Sequence, residues 1–371
     1  ISNHRKNCIL DGIVGSASTA VVAALYEHFS TRTFVVVTPS PQSANNTVED
    51  LKTLLDRDEH FLFPHRETIP YESNEPHLEI GGLQIEAVEA LLRGQARLLV
   101  TTLRALQECA PIPLSITELR ITLQTGDSPG FQNLIQDLEN RGFTRVPLVE
   151  KSGQYAVRGG IIDIFSFGTI DPFRVEFWND EIVSIRLFDI VDQLSKSLTD
   201  EVHILPVEFK KKQDEIAISP KSLLEFIPGD ALIIKLGEEN WSTEIKRTWN
   251  HVSHLYEELK IEGEAPDEPG NLFLDPEKIE DLLYRFTKVD LGPNSDNAIR
   301  ISCTSLPTID RNIRKLKKSL QSASSAGYKN LILCDNRSQC DRLEEIIGGP
   351  NKIPPETHVL VGSLTTGFIL E

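Results

Sequence analysis

The sequence predicts an α/β protein in which a parallel sheet, built from two segments of the chain, is interrupted by a separate α+β domain with an antiparallel sheet. Strand and helix patterns alternate through the first 110 residues, short strands dominate residues 115–209, and strand–helix alternation returns from residue 299. We therefore expect three segments. Residues 1–114 are half of the parallel-sheet domain, residues 115–209 the interrupting domain, and residues 210–371 a helical insert followed by the part that completes the first half.

The first segment is predicted from its apolar runs. The run TFVVVT at 33–38 is continuous, which is typical of a strand buried in a parallel sheet. The alternation of such runs with amphipathic stretches indicates parallel neighbours covered by helices. The predicted order is strand 7–10, helix 18–29, strand 33–38, helix 47–55, strand 61–63, helix 80–93 and strand 97–102.

The second segment follows a Pro-rich boundary, APIPL, at 110–114, and is predicted as strand 119–123, helix 130–141 and then consecutive strands. Along 173–178, FRVEFW, alternate residues face opposite sides of a sheet, so Arg174, Glu176 and Trp178 share the side opposite the apolar one. Asn179-Asp180 fits a two-residue hairpin turn. A Trp beside an Arg on an outer face is typical of a protein-binding hot spot. The alternative is a Trp covered by another part of the same chain.

The third segment opens with the basic run 210–212, which we interpret as a solvated linker. Residues 220–290 are predicted to be mainly helical, with 241–259 as the longest helix. The remaining elements are strand 299–304, helix 308–322, strand 329–334, helix 337–347 and strand 358–361.

Composition limits the classes of function. The net charge is −17, and each of the three segments carries more acidic than basic side chains, which argues against a main contact with nucleic acid. Five scattered cysteines and no long apolar run favour a reduced, cytoplasmic location. The chain contains no methionine, which suggests a fragment of a longer protein. His251 and His254 are spaced as a metal pair, but two ligands make no zinc site, and no metal is expected.

A degenerate phosphate-binding loop (P-loop) lies between the first strand and the first helix, at 12–19. Gly12, Gly15 and Thr19 fit the frame G-x-x-x-x-G-K-[ST], but Ala17 replaces its second Gly and Ser18 stands where its Lys should be. Without that ammonium group nothing offsets the phosphate charge. We interpret the loop as part of a nucleotide-binding fold that has lost its nucleotide, and we expect no cofactor. An unrelated strand–helix turn with a serine cap is the alternative.

Two stretches carry a resemblance to a known family, FPHRETIPYES at 63–73 and GQYAVRGGIIDIFSFGTIDPFRVEFWNDEIVSIRLFD at 153–189. They resemble the amino-terminal half of the bacterial transcription-repair coupling factors (the Mfd family), a half that is similar to the excision-repair protein UvrB. The resemblance implies two RecA-like half-domains around a UvrA-binding domain. After Tyr71 the chain lacks the Tyr-rich hairpin with which UvrB holds DNA, which favours the coupling factor over UvrB.

The resemblance also implies a function and its residues. A non-catalytic module would recruit UvrA of nucleotide excision repair to stalled RNA polymerase, with Arg158, Arg174 and Trp178 in contact with UvrA. The full-length parent would be an ATP-dependent DNA translocase that binds RNA polymerase and double-stranded DNA through further domains. We expect Arg174→Ala, alone or with Arg158→Ala, to abolish UvrA binding without changing the melting temperature. Two rivals are an ATP-dependent, UvrB-like helicase subunit and a damaged-DNA-binding domain.

Overall fold

The computed structural model of the chain describes residues 7–29, 31–55, 60–66, 71, 78–110, 120–207, 220–292, 297–309, 312–348 and 354–371. The first segment contains strands β1 (Asn7–Asp11), β2 (Phe34–Thr38), β3 (His60–Phe63), β4 (Leu98–Thr102) and β5 (Cys109–Ala110), and helices α1 (Ala17–His28), α2 (Pro41–Leu55), α3 (Leu78–Leu92) and α4 (Leu103–Gln107).

The second segment contains strands β6 (Ile121–Gln124), β7 (Thr144–Arg145), β8 (Gln154–Arg158), β9 (Ile161–Phe165), β10 (Phe173–Trp178), β11 (Glu181–Phe188), β12 (Ser195–Thr199) and β13 (Glu201–Ile204), and helix α5 (Phe131–Asn140). The third contains strands β14 (Lys221–Ser222), β15 (Leu232–Leu236), β16 (Thr287–Leu291), β17 (Ile299–Arg300), β18 (Cys303–Ser305), β19 (Asn330–Cys334), β20 (Thr357–Val361) and β21 (Phe368–Leu370), and helices α6 (Trp241–Ile261), α7 (Pro269–Leu272), α8 (Pro276–Tyr284), α9 (Ile313–Ser325) and α10 (Arg337–Ile347).

The main sheet is parallel throughout and has the strand order β17-β1-β16-β15-β2-β4-β3. Two strands of the third segment, β16 and β15, lie between β1 and β2 of the first. Every residue of β2 and β4 is buried, as expected for strands covered on both faces. The predicted α/β architecture with a parallel sheet is confirmed, and the sheet contains strands from both chain segments.

The second sheet has the order β12-β11-β10-β9-β8-β7 and is antiparallel except for the short β7–β8 pair. Its apolar face packs on α5, where Phe131 meets Phe177 edge-on with ring centroids 5.3 Å apart. This core also includes Ile85 of α3. The ring of Phe167 lies so close to Gly82 of α3 that a Cβ at this position would overlap it. A glycine on α3 therefore allows the antiparallel domain to pack against the first segment.

Residues 220–290 hold more helix than strand, as predicted, and α6 is their longest helix, but the prediction missed two strands. These are β15 and β16, which occupy the middle of the parallel sheet. The sequence of β15, LIIKL, is a short apolar run, and periodicity alone cannot distinguish a buried strand from a buried helical segment. Three of the five residues of β16, TKVDL, are polar, so the sequence does not indicate a buried strand. The segment pairs as a strand between β1 and β15.

Other element boundaries also differ from the prediction. Helix α2 begins at Pro41 rather than at residue 47, because Ser40 caps it by accepting a hydrogen bond from the Ser43 N–H at 3.1 Å. The predicted strand 299–304 divides into β17 and β18, which join different sheets. Much of the loop at 63–73, the boundary at 111–114 and the lysine run at 210–212 lie outside the described residues. No described helix has the length and apolar character needed to cross a bilayer.

Candidate protein-binding face and remnant phosphate loop

Strand register places the three predicted binding residues on one face of the antiparallel sheet. Arg158 of β8 lies opposite Ile161 of β9, and Ile161 lies opposite Glu176 of β10. Residues opposite each other in a sheet project to the same side, so Arg158 shares a side with Glu176. Arg174 and Trp178, two residues to either side of Glu176, project there as well. We call this side the outer face.

Trp178 is far more open than Arg174. It ends β10, and its side chain is 74% exposed, whereas Phe177 beside it is buried. Asn179 follows with a φ of 56°, a conformation that asparagine tolerates, and the chain turns into β11. The predicted alternation and hairpin turn are therefore confirmed. An exposed indole at the end of a rigid strand offers a partner a large apolar contact at little entropic cost.

Arg174 is held by the chain itself. Its Nε donates to Oδ1 of Asp163 at 2.6 Å and its Nη2 donates to Oδ2 at 2.9 Å, a bidentate pair. The Asp163 side chain is buried, and that of Arg174 is 19% exposed. The guanidinium also lies 4.8 Å from the ring centroid of buried Phe188. The hydrogen bond to Asp163 raises the pKa of Arg174, so this side chain is a fixed cation at the middle of the outer face.

Arg158 differs from Arg174 because it is exposed and loosely held. Its Nη2 donates to the carbonyl oxygen of Pro147 at 2.9 Å. The chain that follows Pro147 covers part of the sheet, where Val149 packs with Phe188. Arg158 therefore keeps several N–H donors toward solvent, whereas two groups of Arg174 are committed to Asp163.

The sequence interpretation missed several residues of the outer face. Asp163 is the main omission. The feature of the sequence that could have indicated it is a single acidic residue within the otherwise apolar strand IIDIF. Arg186 donates to Oε2 of Glu176 at 2.6 Å, which adds a second ion pair beside the first. Leu198 of the edge strand β12 lies opposite Arg186 and is 74% exposed. The face thus combines fixed charges with open apolar side chains at its margins.

The predicted degenerate phosphate-binding loop at 12–19, which we call the remnant phosphate loop, is at the amino terminus of α1. Gly12 and Gly15 have positive φ values of 80° and 57°, as tight turns require. Ser18 stands in the frame position of the lysine, and its hydroxyl donates to the Gly15 carbonyl at 3.0 Å. Thr19 is buried in the helix. The four predicted loop residues are therefore together at the start of a helix whose N-cap residue, Ser16, makes no side-chain capping hydrogen bond.

The backbone donors that a phosphate would need are already used. The Ser16 N–H donates to Oγ1 of Thr366 at 3.0 Å. The N–H groups of residues 17 and 18 turn back to the carbonyl groups of residues 14 and 15, at 3.3 and 3.4 Å. Phosphate binding at a helix start depends on such N–H groups facing the ligand. In this chain these N–H groups are satisfied within the protein, two by the loop itself and one by Thr366.

A cavity of about 210 Å³ adjoins the loop. Ligand pockets are commonly larger, about 300–1,000 Å³. Among the described residues its lining contains Ser18, Thr19 and Thr366 but no lysine or arginine, and Asp50 is the only charged side chain there. A carboxylate without a nearby cation disfavours a polyphosphate.

His251 and His254, the spaced pair in the sequence, lie on α6. His254 lies 3.5 Å from Glu258 on the exposed face of α6. Within the described parts of the chain, no three His, Cys, Asp or Glu side chains come together as metal ligands.

Comparisons with known proteins agree with the resemblance found in the sequence. Residues 121–209 match the family described as UvrB interaction domain. Transcription-repair-coupling factor of Haemophilus influenzae is 25% identical over 324 residues, covering 76% of this chain and 28% of that protein. Those of Bacillus subtilis and Mycobacterium bovis are 26% and 28% identical, covering 88% and 66% of this chain but 26% and 21% of the relatives. The chain thus spans about a quarter of the length of these relatives.

Proposed function

We propose, from the premise that this chain is an amino-terminal module of the transcription-repair-coupling-factor type, that its antiparallel sheet binds UvrA and so recruits nucleotide excision repair to stalled RNA polymerase. The exposed indole of Trp178 carries this proposal, because it shares the outer face with Arg158 and Arg174 inside the segment that matches the UvrB interaction domain. Trp and Arg are the side chains most enriched in binding hot spots.

The chemistry of the outer face suggests what UvrA must present. Arg158 keeps free N–H donors, so we expect a carboxylate or carbonyl acceptor opposite it. Trp178 requires an apolar pocket. Arg174 contributes charge from a fixed position, because its pair with Asp163 already orients the guanidinium. Fixed groups lose little entropy on binding, which favours affinity.

We also propose that this module is not catalytic and that its parallel sheet descends from a RecA-like nucleotide-binding domain. The missing loop lysine and the used N–H groups of residues 16–18 support both statements. The same observations disfavour an ATP-dependent, UvrB-like activity in this chain. The net charge of −17 disfavours a damaged-DNA reader. Contacts with RNA polymerase and double-stranded DNA, and ATP-driven translocation, would belong to the rest of a longer protein.

Trp178→Ala tests the proposal most directly. We expect UvrA affinity to fall about 30-fold, as removal of a hot-spot aromatic costs about 2 kcal/mol. The melting temperature should stay within about one degree, because the side chain is 74% exposed. Calorimetric titration of the whole chain with UvrA measures the affinity. Tyr284→Ala, which removes a 70% exposed aromatic from α8, is the matched control and should bind as wild type. Wild-type affinity in Trp178→Ala would overturn the proposal.

A further inference from the structure

We infer that the remnant phosphate loop is a binding site for a peptide of the same chain: the strap, residues 362–367, which joins β20 to β21. Thr366 makes the central contact. Its Oγ1 accepts the Ser16 N–H at 3.0 Å, and its own N–H donates to Oγ of Ser16 at 3.0 Å. This reciprocal pair gives the strap one of the loop donors on which phosphate binding would depend.

The contacts continue along α2, so the strap is bound at more than one point. Asp50 accepts two hydrogen bonds at its Oδ1, from the N–H of Thr365 at 2.6 Å and from its hydroxyl at 3.0 Å. Asp50 is buried, and a buried carboxylate needs such partners. Oγ1 of Thr53 accepts the Ser363 N–H at 3.1 Å. Four residues of the strap thus meet the loop or α2, because Gly362 also lies close to Thr53.

Shape complements the hydrogen bonds. A Cβ on Gly15 would lie 2.6 Å from Oγ1 of Thr366 and 3.2 Å from the carbonyl oxygen of Gly367. The loop therefore needs its glycine for the strap, just as a working phosphate loop needs glycine for the close approach of a ligand. Strap and nucleotide would compete for the same Ser16 donor.

The strap also gives the remnant loop a role in assembly. It follows β20, which pairs with β19 in a small two-stranded parallel sheet flanked by α9 and α10. After the strap, β21 pairs with β18. Binding of the strap therefore fixes this carboxyl-terminal unit to the amino-terminal loop without a ligand. This inference is independent of UvrA binding, because the loop and the outer face belong to different sheets.

Hydrogen exchange of the whole chain tests the inference through the peptide that covers residues 12–20. Thr366→Val keeps the shape of the side chain but removes the hydroxyl acceptor. We expect the Ser16 amide to exchange about fivefold faster, the effect of losing one hydrogen bond of about 1 kcal/mol. Exchange in β2 should not change, which shows that the fold is kept. Thr366→Ser should restore the wild-type rate.

Two controls make the result specific. Ser363→Ala alters a strap hydroxyl that makes no hydrogen bond with the described residues, and it should leave the rate unchanged. Millimolar Mg-ATP should not slow exchange of the Ser16 amide in the wild-type chain. An unchanged rate in Thr366→Val, or protection by Mg-ATP, would overturn the inference. UvrA affinity should be the same in every strap variant, so failure here is distinguishable from failure of the proposed function.

Discussion

The remnant loop and the outer face of the antiparallel sheet both carry residue types that hold ligands, but they differ in how their groups are satisfied. At the loop, the N–H groups of residues 16–18 and the carboxylate of Asp50 all bond within the chain. At the outer face, Trp178 and Leu198 remain open, and Arg158 makes one hydrogen bond to the part of the chain that the structure describes. Open apolar surface beside fixed charge indicates a partner, whereas internally bonded groups indicate a structural role.

Arg174 tests this comparison most strongly, because it lies on the outer face and is also bonded within the chain, to Asp163. We expect Arg174→Ala to lose UvrA binding and also about 3 kcal/mol of stability, because the buried carboxylate of Asp163 would lose its partner. The structure thus revises the expectation of an unchanged melting temperature. Urea unfolding measures the stability, and a double-mutant cycle with Asp163→Asn should recover part of the loss. Wild-type stability in Arg174→Ala would show that Arg174 acts only as a docking group.

Glu108, buried in the first segment, extends the comparison to a third buried group, whose contribution to stability depends on pH. Burial raises its pKa to about 7, against 4.5 when unfolded, and Arg104 and the Arg66 N–H offset this only partly. Between these values the folded chain holds the proton more tightly than the unfolded chain. The stabilising contribution is therefore complete below about pH 4.5 and is lost as the pH rises through about 7.

The variant Glu108→Gln isolates this effect, because glutamine resembles the protonated acid. We expect the stability of wild type relative to the variant to fall by about 2 kcal/mol between about pH 5 and pH 8. Urea unfolding of both proteins cancels the contributions of other titrating groups to stability. One such group is His65, because burial lowers its pKa to about 4 and its contribution to stability therefore rises with pH. A difference that does not vary with pH would contradict the prediction. UvrA affinity should be the same for both proteins.

Arg158→Ala gives the smallest expected effect and tests a side chain that lies open on the outer face. The side chain is exposed and makes one bond to a carbonyl oxygen, so we expect the melting temperature to change by less than about one degree. UvrA affinity should fall about fivefold, equivalent to about 1 kcal/mol for one interfacial hydrogen bond. Surface plasmon resonance with immobilised UvrA measures this change. Arg158→Lys should recover only part, since lysine lacks the planar fork. Full affinity in Arg158→Ala would remove Arg158 from the binding site.

Much of the fold followed from local patterns. The apolar run FVVVT predicted the buried strand β2. The alternation of apolar and polar residues in FRVEFW predicted which side chains of β10 are buried. The prediction failed at β15 and β16, where short runs lack a periodicity of their own. It also missed Asp163 and Thr366, whose partners lie 11 and 350 residues away in the chain.

The sequence by itself determined the parallel and antiparallel classes of sheet, the serine at the loop position where the phosphate-binding frame has lysine, and the outward position of Arg174 and Trp178. These follow from side-chain chemistry and from a strand period of two, both of which are local. Only the tertiary structure decided that Arg174 is bound to Asp163, that Trp178 stays open, and that the strap closes the loop. Such outcomes depend on which distant groups meet once the chain has packed, and a buried polar group takes whichever partner that packing brings to it.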